Sequence, residues 1–445
     1  MNTQAKPHFN ILDGLRGAAA LMVVWYHVFE GFAFASGGAI ETFNHGYLAV
    51  DFFFMLSGFV ISYAYDSRWG KGLSTWEFFK RRLIRLHPMV IMGAIIGAIS
   101  FLIGGSLRWD GSETPFGWVM AAMLMGMLLL PAWPGAGYDV RGNGELYSLN
   151  GPTWSLFFEY IGNILYALFI RRLSGRALAV LVAVLGAVLG WFAVTDISGY
   201  GMIGVGWTLD TVNFFGGLVR MLFPFTLGML MARNFCSAAQ RAQDFGPGTQ
   251  SVRNLNSGMP CSYNLKPGML HALDLNSKTP CVYNRKSLKI RGIFWIAIAL
   301  LGLLFSVPYV PACGNICLNG AYEMLCVMIF FPVIIWLGAS GDTESTWGSG
   351  VQGPPATSGL SRAICPTTDK ISTGVCKFLG EISYPLYVVH YPVMYLFYQW
   401  LIKNKIHTLG ACWPVVLAVI ASSLLLAWLT MKFWETPVRK WLGGK

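Results

Sequence analysis

The chain has 445 residues, of which 55% are hydrophobic and 12% charged, with a net charge of +11. That charged share is about half the usual one for globular chains, which argues against a soluble protein. The basic residues sit in the gaps between apolar runs, as the positive-inside rule requires, so the positive balance does not point to nucleic acid. Seventeen Trp and thirty Phe suit long apolar spans with aromatic belts.

The first apolar run, 12–33, starts Leu12-Asp13-Gly14-Leu15-Arg16-Gly17 and carries His27 well inside it. It lacks a strongly basic start, so a retained span is expected rather than a cleaved signal peptide. Arg16 and His27 are eleven residues apart. In a helix that is about 1,100°, three turns plus roughly 20°, so both project from one face about 16 Å apart along the axis. Ionisable groups inside a span are costly and tend to be functional.

Further runs follow at 46–65, 83–104, 154–170, 177–195, 211–231, 292–307, 321–338, 380–402 and 412–431. Together these predict an all-α, polytopic membrane bundle of about ten helices, a single domain over 1–445. The segments 67–82, 171–176, 233–291 and the tail from Lys432 are basic, and ten spans place all of them on one side, with both termini. The positive-inside rule makes that side cytoplasmic. The stretch 196–210, with acids and no base, then falls on the other side. A shorter run at 116–131 would break this order if it crossed, so it is expected to be re-entrant or interfacial.

Two segments, 233–291 and 339–377, are too polar to be spans and are expected to be cytoplasmic loops. The first holds a near-repeat of period twenty, Leu255–Lys266 against Leu275–Lys286. Two copies are too few for a solenoid; a duplicated insertion is the plain reading, and a docking element with Cys261 and Cys281 the sharper one. The second is rich in Gly, Ser, Thr and Pro, like a flexible linker. The nine Cys lie in the second half, and the closest pair, Cys313 and Cys317, does not have zinc-ribbon spacing.

His27 is the first candidate for chemistry, because a neutral imidazole can take a proton from an alcohol. The plain alternative is a hydrogen bond to a neighbouring helix. Arg16 keeps its charge and so binds an anion or pairs with a carboxylate, Asp13 being nearest. Asp51 is an acid just inside a span, in Val50-Asp51-Phe52-Phe53-Phe54, and Gly58 permits close helix contact. Ser57 lacks the Gly-x-Ser-x-Gly elbow of a nucleophile. Arg82 and Arg85, before Pro88, serve either as positive-inside anchors or as a phosphate clamp. Ser155, after Trp154, shares a helix face with Glu159, whose carboxylate needs a His or Arg partner. His390 lies beside Pro392, where a helix is easily distorted.

This ordered set resembles the membrane-bound acyltransferase family 3, integral membrane O-acyltransferases of surface glycans. The matching elements are Leu12–Gly17 with His27, Val50–Phe54 through Leu56–Phe59, Arg82-x-x-Arg85, and Trp154-Ser155 with Glu159. Ile382–Tyr384 through His390-x-Pro392 and Glu435-x-Pro437-x-Arg439 complete it. The motifs run from residue 12 to 441, nearly the whole chain. No soluble esterase-like domain follows the last span, unlike the fused members, and the two polar loops are longer than the family needs.

The resemblance implies transfer of an acyl group, most often acetyl, from cytoplasmic acyl-CoA to a sugar hydroxyl, in a bacterial plasma membrane and with no bound cofactor or metal. It implies His27 as general base, with Arg16 and Glu159 also at the reaction centre: Arg16 on donor phosphate or a carboxylate, Glu159 orienting an imidazole or binding the sugar. Arg82 and Arg85 would hold donor phosphates. Asp51, Trp154, Ser155 and His390 would support or bind the acceptor. The sequence leaves the oligomeric state open. A proton-coupled transporter would also carry intramembrane His, Arg and Glu, but predicts inverted repeats that the sequence does not show. A scaffold without chemistry would tolerate loss of His27. A haem protein ligated by His27 and His390 would be coloured when purified.

Overall fold

The computed structural model describes residues 8–37, 44–244, 283–309, 316–347 and 367–444. Among these, secondary structure is helical, with isolated bridges in place of strands. The helices are α1 (Asn10–Ala35), α2 (Ala49–Trp69), α3 (Thr75–Ile103), α4 (Phe116–Met127), α5 (Thr153–Leu168), α6 (Gly175–Val194) and α7 (Thr211–Asp244). They continue as α8 (Tyr283–Ser306), α9 (Leu318–Leu325), α10 (Phe331–Trp347), α11 (Thr367–Asn404), α12 (Leu409–Thr430) and α13 (Thr436–Gly443). Seven helical stretches are long and apolar enough to cross a membrane. They coincide with seven of the predicted runs. The other three runs, 154–170, 292–307 and 380–402, fall on α5, α8 and α11.

Local chemistry sets several boundaries. Ser74 caps α3 by accepting from the Glu77 N–H at 3.1 Å, with glutamate at the third helical position as a capping box requires. Ser174 does the same for α6 through Ala177. In α11, Pro392 removes the N–H that would bond the Val388 carbonyl. Asn150 Nδ2 donates to that oxygen instead, at 2.9 Å, and the helix continues unbroken to Asn404.

Two parallel helix pairs make the centre. Along α1 and α11, Arg16 meets Ser383, His27 meets His390, and Gly31 meets Tyr398. Gly17 permits the approach: a Cβ there would lie 2.3 Å from the Leu379 carbonyl oxygen. Along α2 and α7, Asp51 meets Arg220, Gly58 meets Phe225, and Asp66 meets Arg233. A Cβ on Gly58 would fall 1.9 Å from the Phe225 carbonyl oxygen, the close contact its sequence suggested.

The basic segments converge at one end. Arg233 bonds Asp66 at 2.9 Å, the Leu173 carbonyl at 2.7 Å and the Arg171 carbonyl at 3.3 Å. Arg171 in turn lies 4.0 Å from the Trp69 ring centroid. Three segments predicted to share a side are thus in contact. The acidic stretch 196–210 lies at the opposite end, around a cavity described below.

Helix α4 has 12 residues, about 18 Å of helix against a hydrocarbon core of about 30 Å. It runs back along α3, with Val119 against Ala98 and Phe101, and Gly126 facing Ala94. The following loop returns to the α3 side, where Leu149 abuts Gly97. A helix of this length, packed back along one half of α3, is too short to cross on its own, as expected of a re-entrant or interfacial segment.

The polar loops are shorter than the hydropathy implied. Helix α7 runs on to Asp244, and α8 begins at Tyr283; α10 extends to Trp347, and α11 begins at Thr367. Helical backbone bonding does not stop where the apolar side chains end. Cys261, Cys281 and most of the repeat lie outside the described residues, as do Cys313 and Cys365.

Candidate active site

Helix α1 places Arg16 and His27 on the face that meets α11, as the spacing predicted. Each opens on its own cavity. The Arg16 cavity, about 540 Å³, lies toward the basic end of the bundle and is lined by Arg82, Arg85, Ser57, Glu159 and Arg439 among others. The His27 cavity, about 940 Å³, lies toward the other end and includes Glu30, Glu145, Trp154, Trp207 and Arg220.

In the first cavity Arg16 donates from Nε to Ser383 Oγ at 2.8 Å and from a terminal nitrogen to the Gly380 carbonyl at 2.9 Å. Asp13 lies 3.3 Å from the same guanidinium. Arg82 is buried and donates to Glu159 at 2.8 Å, and Ser57 Oγ donates to the same carboxylate oxygen at 2.8 Å. Arg85 faces the cavity with no hydrogen-bond or ion-pair partner among the described residues. The π-helical turn Met431–Glu435 brings Glu435 and Arg439 to the rim, joined at 3.1 Å. Several fixed guanidinium groups suit a polyanion such as a pyrophosphate or a phosphate monoester.

In the second cavity His27 Nδ1 lies 2.6 Å from Glu30 Oε2, one helical turn on. That oxygen also accepts from Tyr398 at 2.8 Å and from Tyr391 at 3.3 Å. The Tyr398 hydroxyl also lies 2.8 Å from the His27 carbonyl oxygen, so the two acceptors share its proton and the two helices are tied together. A carboxylate so placed accepts from Nδ1–H and leaves the lone pair on Nε2. An imidazole oriented by a carboxylate in this way is chemically able to accept a proton from a group in the cavity. Tyr391 packs edge-on to the imidazole at 4.7 Å between centroids, and His390 lies behind it at 5.3 Å.

The other predicted residues divide between these surroundings. His390 is fully buried, lines neither cavity, and donates from Nδ1 to the Leu386 carbonyl at 3.0 Å. It packs against the His27 ring. Asp51 is fully buried and binds Arg220 through both oxygens, at 3.0 and 2.8 Å. The Arg220 guanidinium lies 5.3 Å from the Trp154 ring centroid and so holds this tryptophan at the cavity wall. Ser155 bonds Tyr387 through the two hydroxyls at 2.7 Å. Glu159 bonds neither imidazole: it belongs to the arginine cavity, and Glu30 fills the imidazole-orienting position.

Sequence reasoning missed Glu30, Arg220 and Glu145. Glu30 shares a helix face with His27 by its spacing of three, and Arg220 is an arginine within an apolar run. Glu145 carried no sequence signal. It sits in the loop between α4 and α5, where burial pushes its carboxyl up to about 7 despite a hydrogen bond from Tyr395 at 2.5 Å.

Comparison with known proteins bears on the family. A family profile described as an acyltransferase domain matches residues 9–432. Protein 2 in the picA locus of Rhizobium radiobacter is 34% identical over 42% of this chain and 96% of its own length. Acyltransferase MdmB of Streptomyces mycarofaciens is 28% identical over 54% of this chain and 60% of its own. Peptidoglycan O-acetyltransferase OatA of Listeria monocytogenes is 34% identical over 20% of this chain and 13% of its own. No solved structure matches. The profile covers all but the ends of the chain, and the protein belongs to membrane-bound acyltransferase family 3 and is an acyltransferase.

Proposed function

We propose that the protein moves an acyl group, most often acetyl, from acyl-CoA to a sugar hydroxyl of a surface glycan. The basic end of the bundle is cytoplasmic in this reading, in a bacterial plasma membrane, with both termini on that side. The observation that carries it is the His27–Glu30 pair opening on one cavity while the same helix presents Arg16 to another, cationic one. Arg16, Arg82 and Arg85 hold donor phosphates. A glycan acceptor is supported by the relative whose name is peptidoglycan O-acetyltransferase. It is supported too by Trp154, Trp207 and Tyr200 around the His27 cavity, beside the polar groups of Glu145 and Asn143. A cavity of about 940 Å³ is in the range that takes a small ligand or part of a larger one.

In the reaction, His27 Nε2 takes the hydroxyl proton as the sugar oxygen attacks the thioester carbonyl carbon. Glu30 holds the imidazolium that results. The carbon–sulfur bond then breaks, the sulfur leaves as a thiolate, and the imidazolium returns its proton to it. Thioesters are already activated, so positioning and proton transfer are the main tasks left to the enzyme. Mass spectrometry of surface glycans from cells with and without the gene tests the reading. A loss of one acyl mass per modified sugar is expected, and identical spectra would overturn it.

A further inference from the structure

Among the described residues, Val50 and Tyr387 line both cavities. They form the wall between the arginine side and the histidine side. Neither is loose. The Tyr387 hydroxyl is 2.7 Å from Ser155 Oγ, and Ser155 itself donates to the Pro152 carbonyl at 2.9 Å. The Tyr387 ring stands edge-on to Phe53, 5.6 Å between centroids. Val50 precedes Asp51, whose carboxylate is clamped by Arg220 from α7, so α2 is pinned at this height. The wall is therefore a stiff construction of two side chains, one aromatic and one β-branched.

Its position has a chemical consequence that rests on the function proposed above. A donor whose phosphates sit among the arginines must bring its thioester to His27, about 16 Å away along the helix. The acyl group is the leading end of that arm, so it meets the wall first. A passage bounded by a fixed tyrosine and a fixed valine discriminates by cross-section: an acetyl or straight-chain group is narrow, whereas a branched or aromatic one is wide.

We propose that Tyr387 and Val50 form the constriction that selects the transferred acyl group by width, with Ser155 as the positioning residue that holds Tyr387 across it. Wide groups are excluded by contact with these two side chains. One extra methylene in a fixed pocket changes kcat/KM by roughly 10- to 200-fold, so the effect is readily measured.

The test uses the full-length protein in membrane vesicles from cells that make its surface glycan, so that the native acceptor is present, with acetyl-, isobutyryl- and benzoyl-CoA as donors. For the wild type the acetyl to isobutyryl ratio of kcat/KM is expected to be large. Tyr387→Ala and Val50→Ala should each lower that ratio about tenfold, and Ser155→Ala about threefold. Val50→Ala removes only two methyl groups and serves as the readout where Tyr387→Ala does not fold. Ratios within twofold of the wild type in every folded wall variant would overturn the proposal while leaving the donor assignment in place. Failure of the wild type to transfer from any donor would instead remove the acyl-CoA reading, and the proposal with it.

Discussion

His27 Nδ1 and Glu30 Oε2 are 2.6 Å apart on adjacent turns of one helix, and two tyrosines from α11 hold the carboxylate in place. The pair therefore forms within a single element, and its orientation is fixed by a second.

This relationship predicts the effect of Glu30→Gln. The amide keeps the shape but removes the charge that steadies a protonated imidazole. The kcat for acyl transfer should fall about 10²- to 10³-fold, with the acceptor KM little changed. Steady-state kinetics of the purified variant checks this. A wild-type kcat would mean that Glu30 does not orient the base.

Arg82 and Arg85 should respond differently to the same substitution. Arg82 is buried against Glu159, so Arg82→Ala strands a carboxylate and should cost about 3 kcal/mol of stability. Adding Glu159→Gln should recover most of that loss. Arg85 has no such partner among the described residues, so Arg85→Ala should leave thermal unfolding in detergent unchanged and raise the donor KM about tenfold. Equal destabilisation by both would contradict the division of roles.

Glu145 predicts a pH dependence. Its carboxyl holds a proton to about 7 when folded, against 4.5 ordinarily, because it is buried. Between these values the folded state binds more protons than the unfolded one, so stability falls as pH rises. The contribution is complete below about pH 4.5 and lost by about pH 7. Unfolding temperatures of the wild type should therefore drop across this window more steeply than those of Glu145→Gln. Parallel curves would show that Glu145 does not titrate in it.

Much of this was legible in the sequence because it depends on local periodicity. The eleven-residue spacing of Arg16 and His27 fixes a shared helix face, and the basic gaps fix which loops lie together. Partner choice was not legible, because it is settled by tertiary packing. Glu159 needed a cation or an imidazole, and only the approach of α3 to α5 makes it Arg82. The proline at 392 marked a weak point in α11, yet Asn150, more than 200 residues earlier, repairs it. Arg220 was readable as an arginine within an apolar run, but its two bonds to Asp51 depend on how α2 and α7 pair. The end of α7 at Asp244 lies past the last apolar residues, where hydropathy carries no helix signal.

If His27 removes the acceptor proton, acyl transfer depends on its imidazole. The most direct measurement is the rate of acyl transfer by purified His27→Ala protein whose unfolding temperature matches the wild type. A fall of at least about 10³-fold, with donor binding retained, is predicted. Transfer at the wild-type rate would contradict the account.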